Sequence, residues 1–286
     1  MDNWDDLRFL VALSKTGTMT SAAKLLGTNT ATVSRRIERL SEQLGTPAFV
    51  KTSEGWRPSD AVKRLIDVSE SFEGELQSVL NAQSQRNAHE TVKINMGSIP
   101  IVTSQVLFPG LHNRADMLSG IALSFHDRIF REGLGENDIV IMLGQPDSGR
   151  IVTRKAGSLS FRLYRHRNTT IGTEWAGLGE NHDGYPTMLL GTERFGCPPR
   201  VRVDSFLALF ALMQATHMPG PLPDILAAQD PDLVPVCPSA PPHYSDFWLM
   251  FHETRRSDPA MRAVVEWVTL CFEDVAQAGT RATANG

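Results

Sequence analysis

Apolar and polar positions divide the chain into three textures. Between residues 18 and 44, T-M-T-S-A-A-K-L-L-G-T-N-T-A-T-V-S-R-R-I-E-R-L-S-E-Q-L, the spacing predicts two short helices joined by a tight, glycine-containing turn. Ala22, Ala23, Leu25 and Leu26 give the first a close-packing face, Thr20 is its expected N-cap and Gly27 its end. Asn29 suits the second N-cap, and Val33, Ile37, Leu40 and Leu44 recur at intervals of four, three and four, a stripe that asks to be buried. At about 100° per residue the opposite face carries Ala31, Arg35, Glu38 and Glu42, with Thr32, Ser34 and Arg39 beside it. Upstream, Leu7, Leu10 and Val11 form an apolar stripe on a helix that Asp5 or Asp6 could cap; downstream, residues 48–57 read as two strands around Glu54-Gly55.

The second texture is a long helix over residues 60–86, with Ser59 as its cap. Leu65, Ser69, Phe72, Leu76, Val79 and Gln83 alternate at four and three, with Val62 one step earlier, a heptad seam too narrow to make a domain alone. Pairing with a second copy would bury it. The polar run over residues 82–90 reads as a hinge. Beyond it strands and helices alternate. Residues 91–97, 121–125, 138–143, 160–166, 187–190, 200–203 and 247–251 are expected strands, and 101–112, 205–215 and 260–275 expected helices. That alternation predicts an α/β domain with a largely parallel sheet.

Two short helices meeting at a glycine turn, the second with small polar and arginine side chains at its free end, make a helix-turn-helix. A helix enters a DNA major groove end-on only if its first turns are slender, and arginine can bridge guanine O6 and N7. The candidate contacts are Thr30, Ala31, Thr32, Ser34, Arg35, Arg36, Glu38 and Arg39 on the helix, with Lys51, Thr52 and Arg57 on the strand pair reaching phosphates or the minor groove. An ordinary helical hairpin with solvated arginines is the alternative, to which Glu38 and Glu42 lend partial support.

From residue 3 to about residue 61 the chain resembles the winged helix-turn-helix of the LysR-type transcriptional regulators. The resemblance lies in W-D-D-L-R-F-L at 4–10, T-G-T-M-T-S-A-A-K-L-L-G at 16–27, A-T-V-S-R-R-I-E-R-L at 31–40 and E-Q-L-G-T at 42–46. The family usually continues with leucine, phenylalanine, any residue and arginine, then leucine-threonine-any-alanine-glycine. Here stand Ala48, Phe49, Val50 and Lys51, then R-P-S-D-A at 57–61. Lys51 keeps the charge without the planar fork. The resemblance implies residues 1–59 as the DNA-binding domain, with the helix-turn-helix at about 19–38 and the wing at about 48–57. It further implies a linker helix at 60–87 that dimerises through Val62, Leu65, Phe72, Leu76 and Val79, and a two-subdomain effector domain at 88–277 similar to type 2 periplasmic binding proteins. Residues 278–286 are expected to form a disordered tail. The short connection between the second and third of its strands indicates a clipped helix in the first subdomain.

Small molecules bind open α/β sheets beyond the carboxyl ends of strands. Here those positions are Gly97, Ser98 and Ile99, His126 and Asp127, and Ser205 and Phe206; Ser98, Ile99, His126, Ser205 and Phe206 are the expected effector contacts, with plain helix capping the alternative for the serines. The implied partners are double-stranded DNA, an unnamed small-molecule effector, a second or fourth copy of the chain, and RNA polymerase.

Length and composition fit this picture. A chain of 286 residues accommodates two or three domains, and 41% hydrophobic residues is ordinary for a soluble protein. No apolar run approaches a membrane span and the acidic start is wrong for a signal peptide, so a cytoplasmic protein is expected. The net charge of -4 argues against non-specific DNA coating, yet Lys24, Arg35, Arg36, Arg39, Lys51 and Arg57 gather near the motif. Cys197, Cys237 and Cys271 are widely spaced and lack Cys-x-x-Cys pairing, which reads as free thiols, a redox-sensing regulator being the alternative. No metal or cofactor is expected. His252-Glu253-Thr254-Arg255-Arg256 has arginine where a zinc-protease helix needs its second histidine, and the glycines over 177–184 have the wrong spacing for a dinucleotide loop. No Gly-x-Ser-x-Gly elbow or P-loop occurs. The reading is therefore of a DNA-binding regulator and not an enzyme, with an architectural DNA-bending protein lacking an effector as the rival.

Overall fold

The computed structural model describes residues 5–52, 55–84, 91–127, 134, 137–144, 151–170 and 172–284. At the N-terminus, α1 (Asp5–Thr16), α2 (Met19–Leu25) and α3 (Thr30–Leu44) precede a two-stranded antiparallel ribbon, β1 (Phe49–Thr52) and β2 (Gly55–Pro58). Leu10, Leu13, Ala22, Val33, Leu40 and Phe49 close one small core between them. Asn29 caps α3 as expected, its side-chain oxygen accepting the Thr32 N–H at 2.8 Å. The α2 cap is Thr18, not Thr20. Helix α2 begins at Met19, and Thr18 Oγ1 accepts the Ser21 N–H at 3.1 Å, which leaves Thr20 inside the helix.

Two glycines fix this unit. Gly45 ends α3 at φ 68, in the left-handed region where a side chain is strained, so Leu44 stands at the frayed end, 38% exposed instead of buried. Gly55 has φ 130, and a Cβ there would lie 2.5 Å from the Gly17 carbonyl oxygen. That carbonyl accepts the Trp56 N–H at 2.8 Å, so the ribbon is pinned to the turn before α2.

Helix α4 (Asp60–Ser84) leaves this unit. Ser59 does not cap it: its buried hydroxyl has no hydrogen-bond partner among the described residues. The first turns of α4 belong to the N-terminal core, where Val62 is fully buried, Ile66 nearly so and Leu65 half-buried. Val62 is therefore not available for pairing. Further along, the expected seam residues Phe72, Leu76 and Val79 are exposed together with Val68, while Ser69 is buried, so the open stripe starts later than the expected seam and takes Val68 in place of Ser69. Of the hinge expected over residues 82–90, the first three residues belong to α4, which continues through Ser84, and residues 85–90 lie outside the described residues.

The remainder is a two-lobed α/β domain. Strands β3 (Val92–Ser98), β4 (Ile121–Asp127) and β5 (Ile139–Leu143) are mutually parallel, β3 in the middle. Between β3 and β4 runs a helical segment, α5 (Pro100–Val102), a π-turn at Thr103–Leu107 and α6 (Phe108–Asn113). Strand β6 (Ile151–His166) starts nine residues before the expected strand. It pairs antiparallel with β11 (His243–His252), which in turn pairs with β5, so two long strands cross from one lobe to the other. The second lobe holds β7 (Ala176–Leu178) parallel to β8 (Val201–Val203), α7 (Pro186–Phe195), α8 (Phe206–Thr216), β9 (Gly220–Pro223), α9 (Asp224–Ala227) and β10 (Leu233–Pro235). β9 and β10 both pair antiparallel with β6. Helix α10 (Pro259–Ala284) packs back across β6 and α6, burying Trp267 and Phe272.

Three expectations change. The sheet is mixed, because the two crossing strands run against the parallel set. Residues 187–190 are helical: Pro186 pre-sets the first turn of α7 and Gly196 ends it, and burial falls on Thr187, Met188, Gly191 and Phe195 at helical spacing while Leu189 is exposed. Helix α10 runs on to Ala284, through positions expected in the tail. Of the connection expected to be clipped, residues 126–137, the first two extend β4, and residues 128–133, 135 and 136 fall outside the described residues.

Candidate nucleic-acid interface and effector cleft

Helix α3 rests on α1 and α2 through Val33, Ile37 and Leu40 and turns its other edge outward. On that edge Thr30, Ala31, Arg35, Glu38 and Arg39 are exposed and Thr32 and Ser34 half-buried. The first turns thus carry short side chains, with Arg35 the long cation among them. Arg35 has no ion-pair partner among the described residues. Glu38 accepts the Ser34 hydroxyl at 2.7 Å. On the ribbon, Lys51 and Arg57 are exposed, and Thr52 donates its hydroxyl to the Gly55 carbonyl at 3.0 Å, tightening the turn. Between α3 and the ribbon lies a groove of about 560 Å³, floored by Met19, Ile37, Phe49 and Trp56 and edged by Glu38 and Glu42.

Arg36 behaves differently from its neighbours. Its Nη1 donates to Asp6 Oδ1 at 2.8 Å and its guanidinium lies 5.5 Å from the centre of the Phe9 ring. Arg39 Nε stands 3.6 Å from the other Asp6 oxygen. Asp6, considered on sequence only as a cap for α1, is 1% exposed and reaches across to α3. Nothing in local spacing marks this contact, since its partners are thirty residues apart.

The expected effector contacts lie at the carboxyl ends of β3 and β4 and at the start of α8. Register pairs Gly97 with His126 and Ser98 with Asp127 at the carboxyl ends of β3 and β4, and α5 packs on α8, which starts at Phe206. Ser98 is fully buried and its Oγ forms a hydrogen bond with Thr103 Oγ1. Ser205 caps α8 by accepting the Ala208 N–H at 3.2 Å. Ser205 thus holds the capping role that sequence left open beside a ligand role, whereas Ser98 caps no helix: the residue before α5 is Ile99, and the Ser98 hydroxyl is tied to Thr103 instead. His126 is exposed, with Nδ1 2.9 Å from Asn137 Oδ1. Ile99 is half-buried against the core, and Phe206 is half-buried with its ring 5.3 Å from that of Phe161.

One polar node was not foreseen. Asp224, at the start of α9, accepts from Ser160 Oγ at 2.8 Å, from Tyr164 Oη at 2.7 Å and from Arg162, all on β6. Burial and the adjacent carboxylate push the Tyr164 hydroxyl well above the usual phenol range. Among the described residues no group of three His, Cys, Asp or Glu side chains is placed to hold a metal ion, and no helix is long and apolar enough to cross a membrane.

Comparison with known proteins agrees with this geometry. Residues 4–62 match the family model described as bacterial regulatory helix-turn-helix protein, lysR family, and residues 93–270 match the LysR substrate binding domain. The chain is 26% identical over 282 residues to the Mau operon transcriptional activator of Paracoccus denitrificans, covering 95% of this chain and 97% of that one. Among solved structures, a full-length OxyR variant from Pseudomonas aeruginosa superposes with a TM-score of 0.64 at 17% identity, covering 95% of both chains. ArgP from Mycobacterium tuberculosis gives 0.63 at 17% identity, covering 95% of this chain and 98% of that one; these two show the shared fold. With both family models matched in order, the chain belongs to the LysR family of DNA-binding transcriptional regulators, which carry an effector-binding domain and are not enzymes.

Proposed function

We propose that the protein is a cytoplasmic transcriptional activator that binds an inverted-repeat operator as a dimer or tetramer, contacts RNA polymerase and answers to a small molecule held between the two lobes. The observation that carries the DNA reading is the edge of α3: slender residues with one outward arginine, backed by a rigid aliphatic stripe. Thr30, Ala31, Thr32, Ser34 and Arg35 are the proposed base-facing set, and Lys51, Thr52 and Arg57 the proposed phosphate or minor-groove set. Arg36 is reassigned to holding the helix. Phe72, Leu76 and Val79, with Val68 added and Val62 and Leu65 removed to the N-terminal core, form the proposed pairing stripe of α4. Two copies joined there would set two reading heads about one helical turn of DNA apart, or a multiple of it. Activation as the mode draws support from the nearly full-length match to the Mau operon activator.

For the effector, Ile99, His126 and Phe206 remain the proposed contacts, with Ser98 and Ser205 shaping the site through Thr103 and the α8 N-terminus. A ligand shifts the lobes only by its differential affinity for their two arrangements. An architectural protein without effector control leaves the larger, two-lobed part of the chain without a role. A redox sensor finds no support at Cys271, where burial pushes the thiol up to about 12.

The test is to footprint the purified protein on the DNA flanking its own coding region. A two-fold symmetric protected site is the expected result. Protection without symmetry would remove the paired reading, and no protection at any salt concentration would remove the regulator reading.

A further inference from the structure

Asp6 is a buried carboxylate with two arginine partners, both on the helix proposed to enter DNA. One oxygen accepts Arg36 Nη1 at 2.8 Å; the other stands 3.6 Å from Arg39 Nε and has no hydrogen-bond partner among the described residues. The carboxylate side chain is 1% exposed, against 25% for Arg36 and 44% for Arg39. A charge this deep is tolerated only when paired, so α1 holds a negative group there on terms set by α3. The Phe9 ring under the Arg36 guanidinium, 5.5 Å from its centre, completes the seat.

Of the three arginines on α3, Arg35 faces outward, while Arg36 and Arg39 are drawn toward α1. Long cationic side chains beside a DNA groove find phosphates readily, and phosphate contacts add affinity without sequence information. Holding such cations back therefore raises the ratio of specific to non-specific binding. We infer that Asp6 is a specificity-determining positioning residue, which withholds Arg36 and restrains Arg39 from the DNA backbone so that Arg35 reads alone. The inference rests on the DNA-reading role proposed above.

The test compares the full-length wild type with Asp6→Asn, Asp6→Glu and Asp6→Asn/Arg36→Gln. Each is titrated against the footprinted operator fragment and an unrelated duplex over a range of salt concentrations. Asp6→Asn is expected to tighten binding to the unrelated duplex and to steepen its salt dependence by about one phosphate contact, a log–log slope change of roughly 0.9. The ratio of operator to unrelated affinity should fall by about 3- to 10-fold. Asp6→Glu should keep most of the wild-type ratio, and the double variant should return the slope.

A purely structural Asp6 would weaken both duplexes in parallel with no change of slope, and that result, or no change at all, overturns the inference. Arg36→Gln alone keeps the question open to refutation if Asp6→Asn unfolds. It should leave the wild-type slope intact, and a slope shallower by about one contact would make Arg36 a phosphate ligand and sink the proposal. A wild type that binds neither duplex would instead refute the regulator reading.

Discussion

Arg255 donates from Nη1 to Asp138 Oδ1 at 2.6 Å and from Nε to Asp258 Oδ2 at 2.9 Å, so one guanidinium, 5% exposed, joins two carboxylates from separate segments. The second oxygen of Asp138 accepts the Asn95 N–H at 2.7 Å, and that of Asp258 accepts the Ala260 N–H at 2.9 Å. The node thereby ties β3, the entry to β5 and the first turn of α10 together, beside the turn that α4 packs against.

Removing one member of such a buried pair strands the other. Arg255→Met leaves Asp258, fully buried, without its cation, and should cost about 3–5 kcal/mol of stability. Urea unfolding of the full chain measures this. Adding Asp258→Asn should recover part of the loss, because the orphaned charge is then gone. A loss below about 1 kcal/mol for the single variant would mean that water reaches Asp258 after all.

Gly110 and Cys271 face each other across the α6–α10 contact. A Cβ at Gly110 would overlap the Cys271 sulfur, while the Gly110 carbonyl accepts Trp267 Nε1–H at 3.2 Å. Gly110→Ala is thus an overpacking change, expected to cost about 1–3 kcal/mol. Cys271→Ala should lose stability alone yet offset much of that cost in the double variant. Thermal unfolding of the four proteins gives the coupling, and strict additivity would show that the two helices spread apart freely.

Burial raises the Cys271 thiol from an ordinary 9.0 to about 12. Below pH 9 the folded and unfolded chains both keep the proton, so this contribution to stability is whole. As pH rises toward 12 the unfolded thiol ionises first, and stability falls. At pH 8 iodoacetamide should modify exposed Cys237 quickly and Cys271 only after denaturant is added. Equal rates at the two sites, followed by mass spectrometry, would reopen the redox reading.

Helices α2 and α3 were legible because every determinant is local: a capping side chain, a four-three stripe, a glycine at each end. Even there the cap moved from Thr20 to Thr18, since two threonines two residues apart offer the same chemistry and packing chooses between them. The candidate DNA edge was also legible, except for Arg36, whose partner Asp6 is distant in sequence. Val62 looked like part of a pairing seam because heptad spacing cannot tell which neighbour covers a residue. The T-M-L-L run in α7 reads as a strand for the related reason that three apolar residues after a threonine are too short a run to distinguish strand from helix; only the helical spacing of the buried Thr187, Met188, Gly191 and Phe195 does so. The first nine residues of β6 were missed because Arg154, Lys155 and Gly157 break the alternation, and only pairing with β11 makes them extended.

The open stripe on α4 gives a prediction about assembly. Phe72, Leu76 and Val79 are 59%, 49% and 65% exposed in the single chain and follow one another along one helix, an apolar stripe and not scattered single residues. Phe72→Glu with Val79→Glu would place charge in a paired seam while leaving the N-terminal core, built on Val62 and Ile66, untouched. Sedimentation should show the wild type as dimer or larger and the variant as monomer, with footprinting reduced to weak half-site protection. An unaltered sedimentation coefficient would place the interface elsewhere.

Arg35 and Lys51 should fail in different ways. Arg35 stands on the outward edge of α3 among Ala31, Thr32 and Ser34, where a planar fork can meet a guanine. Lys51 lies exposed on the ribbon and offers a point charge. Arg35→Ala should therefore lose about 1–3 kcal/mol at one operator base pair, bind variants at that position indifferently, and keep its other preferences. Lys51→Ala should weaken every sequence alike and make the salt slope shallower by about one contact. Titrating both variants against a set of singly substituted operators separates these outcomes, because a base reader changes the pattern of preferences while a phosphate contact lowers all of them together. A uniform loss for Arg35→Ala would move Arg35 to the phosphate set and leave base reading to the small side chains at the start of α3.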